Sequence, residues 1–341
     1  MLRTVVTQKD IAKRTGFSVN TVSHALRGMS DISEETRKVI LETAEEMGYI
    51  MNSAASTLRS GQSGIIAVII GDISNPLFGI EVKEIEEIMQ KEGFCIITFN
   101  TNENSEQERK CLNVAISKGV DGILICPAQE NRENIEFLKN SGIPFVLLGR
   151  KFDDLDTDYV VWDDVQGAKL ATTYMIENGY KKILFIHAPL SLSSARERLE
   201  GYRKALEEKG IAYDPSYVAE IANFNSYEAL EKAIKEAPEF DAVFTFNDMM
   251  AWTAVVILRT MGYQVPDDIE VVGFDNIQSR FTMPFPMVSV HTPKQSMVAE
   301  SCGILIERMK KKGRPGAGET IHKVIETQLC LSTDNFRNYI N

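Results

Sequence analysis

The sequence is poor in everything that a disulfide scaffold, a metal centre or a membrane span requires. Its 341 residues include only five cysteines: Cys95, Cys111, Cys126, Cys302 and Cys330. They are odd in number, scattered and in no C-x-x-C pair, which reads as free thiols in a reducing compartment. With four histidines and no Cys/His cluster there is no metal-ligand spacing, so neither a metal nor a cofactor is expected. No apolar run approaches the roughly 18–20 residues of a membrane span. The longest candidate, Ile65–Ile70, is the size of a strand. Residues 1–10 are charged and lack the apolar stretch of a secretory signal, so a cytoplasmic location is expected.

Catalytic signatures are missing too. There is no G-x-x-x-x-G-K-[ST] loop, no G-x-S-x-G, no H-E-x-x-H and no glycine-rich dinucleotide loop after the first strand. An enzyme would need a base or nucleophile constellation, and none is legible, so no catalytic residue is assigned.

Positive charge is also short overall, with a net charge of -11. The deficit is uneven. Residues 1–30 hold Arg3, Lys9, Lys13, Arg14 and Arg27 against Asp10 alone. A basic head on an acidic body suggests that the head meets a polyanion and the body does not.

Three short helices fit the head: Lys9–Thr15 stopping at Gly16, a second capped by Ser18, and a third from Ser33 to Met47 before Gly48. Two helices joined by a tight glycine-containing turn make a helix-turn-helix pattern. Residues 51–63 are small and polar, a linker in which residues 52–58 allow two turns of helix. That is far below the roughly 12–15 residues needed for marginal stability in water. From Gly64 onward strands and amphipathic helices alternate. The buried strands are Ile65–Ile70, Cys95–Phe99, Gly122–Cys126 and Phe145–Leu148, then Ile183–His187, Val218–Ile221, Ala242–Phe246 and Glu270–Phe274. Lys323–Leu331 reads as a last strand. Two such α/β sets predict two similar doubly wound lobes.

The head reads Thr7-Gln8-Lys9-Asp10-Ile11-Ala12, then Gly16-Phe17-Ser18-Val19-Asn20-Thr21-Val22-Ser23-His24-Ala25-Leu26, then Ser33-Glu34-Glu35-Thr36-Arg37. It closely resembles the headpiece of the LacI/GalR family of bacterial transcriptional regulators. The body continues the resemblance in family order with Asp72-Ile73-Ser74-Asn75-Pro76-Leu77-Phe78, Gly119-Val120-Asp121-Gly122-Ile123, Asn247-Asp248-Met249-Met250-Ala251 and Val272-Gly273-Phe274-Asp275. Some positions depart from the usual pattern. Met51 replaces a hinge Pro, Ser56-Thr57 replaces Arg-Ser, and Gly149 followed by Arg150 stands where an Asp is common.

The resemblance implies a helix-turn-helix headpiece (1–50), a hinge (51–63) and a periplasmic-binding-protein-like body (64–341). The first lobe would take about 64–161 plus 292–320, and the second about 162–291 plus 321–341. It also implies a homodimer on a near-palindromic double-stranded DNA operator, controlled by a small molecule, a sugar or sugar derivative. No leucine-heptad tail follows the last strand, so no tail-built tetramer is expected.

A recognition helix presents its N-terminal side chains to base edges. Asn20 can pair bidentately with adenine, Val19 and Thr21 can meet a thymine methyl, and His24 can donate to a base or phosphate. Thr7, Ser18, Ser23 and Arg27 are expected on phosphates. In the hinge, the family reading makes Leu58 a minor-groove wedge, with Ala54 and Ala55 allowing close approach and Arg59 on phosphate. The effector is expected between the lobes, at the carboxyl ends of strands. Phe78, Arg198, Phe224, Asn247 and Asp275 are the candidates, with Asp72, Gln129 and Arg150 added. Aromatic faces and planar polar groups suit a sugar. A solute-binding or sugar-acting protein on the same fold, or a regulator with a purine or protein corepressor, remains the alternative.

A basic head that neutralises six or more phosphates loses affinity as salt rises, by roughly 10³-fold or more between about 50 and 200 mM. The full chain is expected to show this loss on its own promoter region in fluorescence anisotropy. An affinity that barely moves would contradict the reading of the head.

Overall fold

The computed structural model describes residues 6–50, 62–223, 226–280, 287–311 and 319–331. The chain divides after Ser63 into two compact units, a head and a body.

The head holds α1 (Gln8–Thr15), α2 (Val19–Leu26) and α3 (Glu34–Glu46). Their starts are fixed by short polar side chains that satisfy backbone groups the first turn leaves unpaired. Asp10 reaches back to accept from the Thr7 backbone N–H at 2.8 Å and from its hydroxyl at 2.7 Å. Ser18 Oγ accepts from the Thr21 N–H at 3.0 Å, and Ser33 Oγ from the Thr36 N–H at 3.3 Å. Gly16, at φ +77°, ends α1 in the left-handed region that favours glycine and turns the chain into α2. Helices this short are marginal alone. They share a core of Ile11, Ala12, Val22, Ala25, Ile40 and Ala44, with Phe17, Leu26 and Tyr49 packed around it.

The body starts with β1 (Ile65–Ile70), α4 (Pro76–Lys91), β2 (Cys95–Asn100), α5 (Ser105–Ser117), β3 (Gly122–Ile125), α6 (Glu133–Ser141), β4 (Phe145–Leu148) and β5 (Tyr159–Trp162). It continues with α7 (Asp164–Glu177), β6 (Ile183–His187), α8 (Ser193–Glu208), β7 (Val218–Glu220), α9 (Tyr227–Glu236), β8 (Ala242–Thr245), α10 (Asp248–Thr260), β9 (Glu270–Asp275) and β10 (Val288–His291). Last come α11 (Lys294–Lys311), β11 (His322–Ile325) and β12 (Gln328–Cys330).

Two six-stranded sheets result, ordered β11-β5-β4-β3-β1-β2 and β12-β10-β9-β8-β6-β7. Apart from the antiparallel β12 the pairings are parallel. The central strands are apolar on both faces because helices cover both, as parallel sheets require. Both lobes wind alike: each sheet's first strand sits between its second and third. Ligands of such sheets bind beyond the carboxyl ends of the strands, where the winding reverses.

The chain crosses between lobes three times. After β5 it enters α7, which lies on the second sheet with Phe274 and Thr327 against Gly167. After β10 it enters α11, whose Met297, Val298, Cys302 and Leu305 join the first-lobe core with Ile66, Val68 and Ile85. The third crossing corrects an expectation. Lys323–Leu331 is not one strand, and residues from 321 do not all belong to the second lobe. His322–Ile325 pairs parallel with Tyr159–Trp162 in the first sheet, and Gln328–Cys330 pairs antiparallel with Val288–His291 in the second. The break falls at Thr327, whose hydroxyl donates to the Asp163 carbonyl at 3.1 Å, so the return crossing is tied to the first. Strands β5 and β10 were not anticipated either.

Helix α8 lies on α7 at Gly201, where a Cβ would stand 2.2 Å from the Val165 carbonyl oxygen and 2.9 Å from the Lys169 nitrogen. Backbone cannot yield there cheaply. Gly201→Ala is expected to destabilise the body by roughly 1–3 kcal/mol. Urea unfolding read by Trp162 and Trp252, the only tryptophans and both in the body, should show a lower midpoint. A midpoint equal to the parent's would contradict this packing.

Candidate functional site

Helix α2 has two faces because Val22 and Ala25 are needed inside the head. Ser18, Val19 and Asn20 are exposed at its start, and Thr21, Ser23, His24 and Arg27 are half-buried along its flank. Several of these side chains already have partners. Thr21 and Ser18 share a hydrogen bond of 2.8 Å between hydroxyls, His24 Nδ1 stands 2.6 Å from an Asp31 carboxylate oxygen, and Arg27 Nε donates to the Ser23 carbonyl at 2.9 Å. Those contacts fix side-chain direction on the outer face, while Val19 and Asn20 project from the helix start. Ala54, Ala55, Leu58 and Arg59 lie outside the described residues, as does Phe224.

In the body a narrow cleft lies at the carboxyl ends of both sheets. Asp72, Phe78, Arg150, Arg198, Asn247 and Asp275, all expected from the sequence, line it. Gln129 does not. Its amide donates to the Lys151 carbonyl at 2.6 Å and accepts from the Ser193 N–H at 2.8 Å, so both its ends are used in tying the first lobe to the second.

The second-lobe floor is built around Arg198. Its Nε donates to Asp164 at 2.7 Å, its Nη1 donates to the Phe246 carbonyl, and the guanidinium lies 3.6 Å from the centre of the Phe274 ring. Its Nη2 stands 3.8 Å from Asp275 Oδ1. Asp275 is in the left-handed region at φ +96°, and its carbonyl accepts from Thr292 Oγ1 at 3.1 Å and from Lys294 Nζ. Its Oδ1 is buried without a hydrogen-bond partner. Burial pushes the carboxyl up to about 6, and the Arg198 and Lys294 charges oppose that rise. Burial likewise pushes Asp164 up to about 7 against the pull of Arg198. Asn247 caps α10, its side-chain oxygen accepting from the Met250 N–H at 2.9 Å. Behind it, Asp248 accepts from Ser289 Oγ at 2.6 Å and the Ile277 N–H at 2.7 Å.

The first-lobe wall contains residues that the sequence did not single out. Glu81 follows Phe78 by one helical turn on the buried face of α4, and burial pushes its carboxyl up to about 8. Arg150 is held by Glu103 through two hydrogen bonds, 2.6 and 2.9 Å, and donates to the Pro127 carbonyl at 2.8 Å. Trp162 ends β5 in the lining, and its buried Nε1–H has no partner. Glu103, in a polar turn, and Trp162, on an unanticipated strand, gave little local signal. Glu81 could have been found from its spacing to Phe78. Glu84, one turn beyond Glu81 on α4, pairs with Arg280 across the lobes at 2.6 Å. Buried His187 is engaged with its neighbour, Nδ1 standing 2.6 Å from the Ala188 carbonyl oxygen.

Chemically, the cleft offers a fixed guanidinium edge, a buried carboxylate oxygen, an indole N–H and the rings of Phe78 and Phe246. Groups of these kinds suit the orientation of a small polar molecule. Among the described residues no three potential ligands gather for a metal ion, and no helix is long and apolar enough to cross a membrane.

Known proteins share both parts. Residues 63–311 match the family described as periplasmic binding proteins and sugar binding domain of LacI family, and residues 7–52 match bacterial regulatory proteins, lacI family. The HTH-type transcriptional repressor PurR of Pasteurella multocida (strain Pm70) is 32% identical over 322 residues, spanning 93% of this chain and 96% of that protein. PurR of Histophilus somni (strain 129Pt) is 29% identical over 326 residues, 94% of this chain and 96% of the relative. Among solved structures, a transcriptional regulator CelR–cellobiose complex superposes with TM-score 0.71 and 26% identity, over 96% of this chain and 98% of that one. The lac repressor dimer bound to operator and the anti-inducer ONPF superposes with TM-score 0.79 over 97% and 99%; at 20% identity the likeness is one of fold. With a helix-turn-helix head and a two-lobed body both matched in order, the chain belongs to the LacI family of bacterial DNA-binding transcriptional repressors.

Proposed function

We propose that the chain is a cytoplasmic, non-enzymatic repressor. It acts as a homodimer on a near-palindromic operator, and a small molecule in the body cleft sets its operator affinity. In this reading α2 enters the major groove. Asn20, Val19, Thr21 and His24 face base edges, and Thr7, Ser18, Ser23 and Arg27 sit on phosphates. Residues 51–63 carry Ala54, Ala55, Leu58 and Arg59 to the minor groove. The effector is a sugar or sugar derivative held by Arg198, Asn247 and Asp275 of the second lobe and by Phe78 and Arg150 of the first, with Asp72 beside them.

The observation that carries the effector reading is the orphaned Asp275 Oδ1. A buried acceptor left unsatisfied costs roughly 1–3 kcal/mol, which a ligand hydroxyl would recover. The cellobiose bound to CelR supports a sugar. The relatives named PurR favour a second reading, a purine corepressor, and keep purine bases among the compounds to test.

Asp275→Ala is expected to abolish the change in operator affinity that the effector produces, while operator binding without effector persists. Anisotropy titrations with and without the effector check this. Lost operator binding with intact ligand binding would make Asp275 structural and remove the cleft assignment. Asn20→Ala is expected to relax preference at one or two base pairs, at roughly 1–3 kcal/mol for a lost bidentate contact. Competition with single-base operator variants reads this; an unchanged preference at every position would contradict it.

A further inference from the structure

Resting on the reading that the cleft holds the effector, we propose that it admits the effector only uncharged, as a free sugar without a phosphate. The sugar is held between the Trp162 indole N–H of the first lobe and the Asp275 carboxylate of the second. Two arginines line the cleft, and arginine is the usual receptor for phosphate. Here each is already matched by a carboxylate of the chain itself. Glu103 accepts from both terminal guanidinium nitrogens of Arg150, and Asp164 accepts from Nε of Arg198. Lys294, buried behind Asp275, is also engaged, donating to the carbonyls of Asp275 and Thr292 and to the Thr292 hydroxyl.

The backbone at Gly71 leaves room for the pairing at Arg150. Gly71 lies against Glu103, and a Cβ at that position would stand 2.1 Å from Glu103 Oε1. A side chain at this position would push the carboxylate from where it meets Arg150. A phosphate entering would find no unmatched cation among the described lining residues. It would stand near Glu103 and Asp275 where little water screens the repulsion.

Two buried polar atoms of the lining have no hydrogen-bond partner: one donor, Trp162 Nε1, and one acceptor, Asp275 Oδ1. Arg198 Nη2 stands beside the acceptor at 3.8 Å. A hydroxyl both donates and accepts, so the hydroxyls of a neutral polyol match the chemistry of a lone donor and a lone acceptor alike. The rings of Phe78 and Phe246 suit the apolar face of a sugar ring.

The test is isothermal titration calorimetry on the full chain with matched pairs: glucose and glucose 6-phosphate, ribose and ribose 5-phosphate, inosine and inosine monophosphate, with cellobiose and hypoxanthine added. Binding is expected from an uncharged sugar and not from its phosphate ester. A phosphate ester binding more tightly than its parent overturns the proposal and leaves the effector cleft standing. Hypoxanthine binding in place of every sugar also overturns it, in favour of a purine-responsive cleft. If no member binds, the effector reading fails for these compounds, and inorganic phosphate decides the charge argument. The parent should show no saturable phosphate binding. Glu103→Gln, which keeps the shape and uncovers the Arg150 charge, should gain it in the millimolar range, and adding Arg150→Gln should remove it again. Phosphate saturating the parent, or no gain in Glu103→Gln, overturns the proposal. Trp162→Phe provides an independent reading, with an expected loss of roughly 3–10-fold in affinity for the bound sugar, the size of one hydrogen bond. Unchanged affinity contradicts the indole's part.

Discussion

The buried guanidinium of Arg198 is the constraint around which the body is arranged. A cation taken out of water is tolerated only when several groups meet it, and removing one partner of a buried pair typically costs about 3–5 kcal/mol. Here the partners come from separate parts of the chain. Asp164 opens α7 immediately after the first crossing between lobes, the Phe246 carbonyl ends the strand region before α10, and the Phe274 ring belongs to β9. Lys294, at the second crossing, holds the Asp275 carbonyl next to the same cation. The charge network therefore pins two of the three crossings to the cleft floor. The third is pinned to the first through Thr327 and Asp163.

Polar groups that a small molecule would touch are the same groups, or neighbours of the groups, that fix the relation between the lobes. Further ties span the lobes outside the cleft lining: Gln129 to Ser193, Lys151 to Glu197 at 3.0 Å, and Arg280 to Glu84. A ligand that fills the cleft acts on a junction with several polar fastenings. The coupling needed to alter operator binding is modest, since about 1–3 kcal/mol changes an affinity about 5–150-fold.

Much of this was legible in the sequence because it is local. Ser18 and Ser33 mark helix starts, Gly16 marks a stop, and apolar runs such as Ile65–Ile70 mark central parallel strands. Arg198, Asn247 and Asp275 were legible because they follow strands whose carboxyl ends must face the cleft. What escaped depends on contacts between distant segments. Tyr159–Trp162 and Val288–His291 are four-residue strands with no periodicity of their own, and their pairing partners decide them. Residues 322–330 look continuous until two different sheets claim the two halves. Glu103 reads as a turn residue until Arg150, 47 positions away, meets it over Gly71. Gln129 sits where a ligand contact belongs by strand logic, and its φ of +58° accompanies a side chain spent on two backbone groups instead.

Where a small molecule in the cleft sets operator affinity, cleft and head share one free-energy balance, and linkage makes it directly measurable. A ligand that alters operator affinity by some factor must have its own affinity altered by operator by the same factor. Calorimetry of the ligand into the full chain, with and without saturating operator, gives one ratio; anisotropy of the operator, with and without saturating ligand, gives the other. The account predicts two equal ratios, each different from one and within about 5–150-fold. Ligand affinity that is the same with and without operator would contradict it.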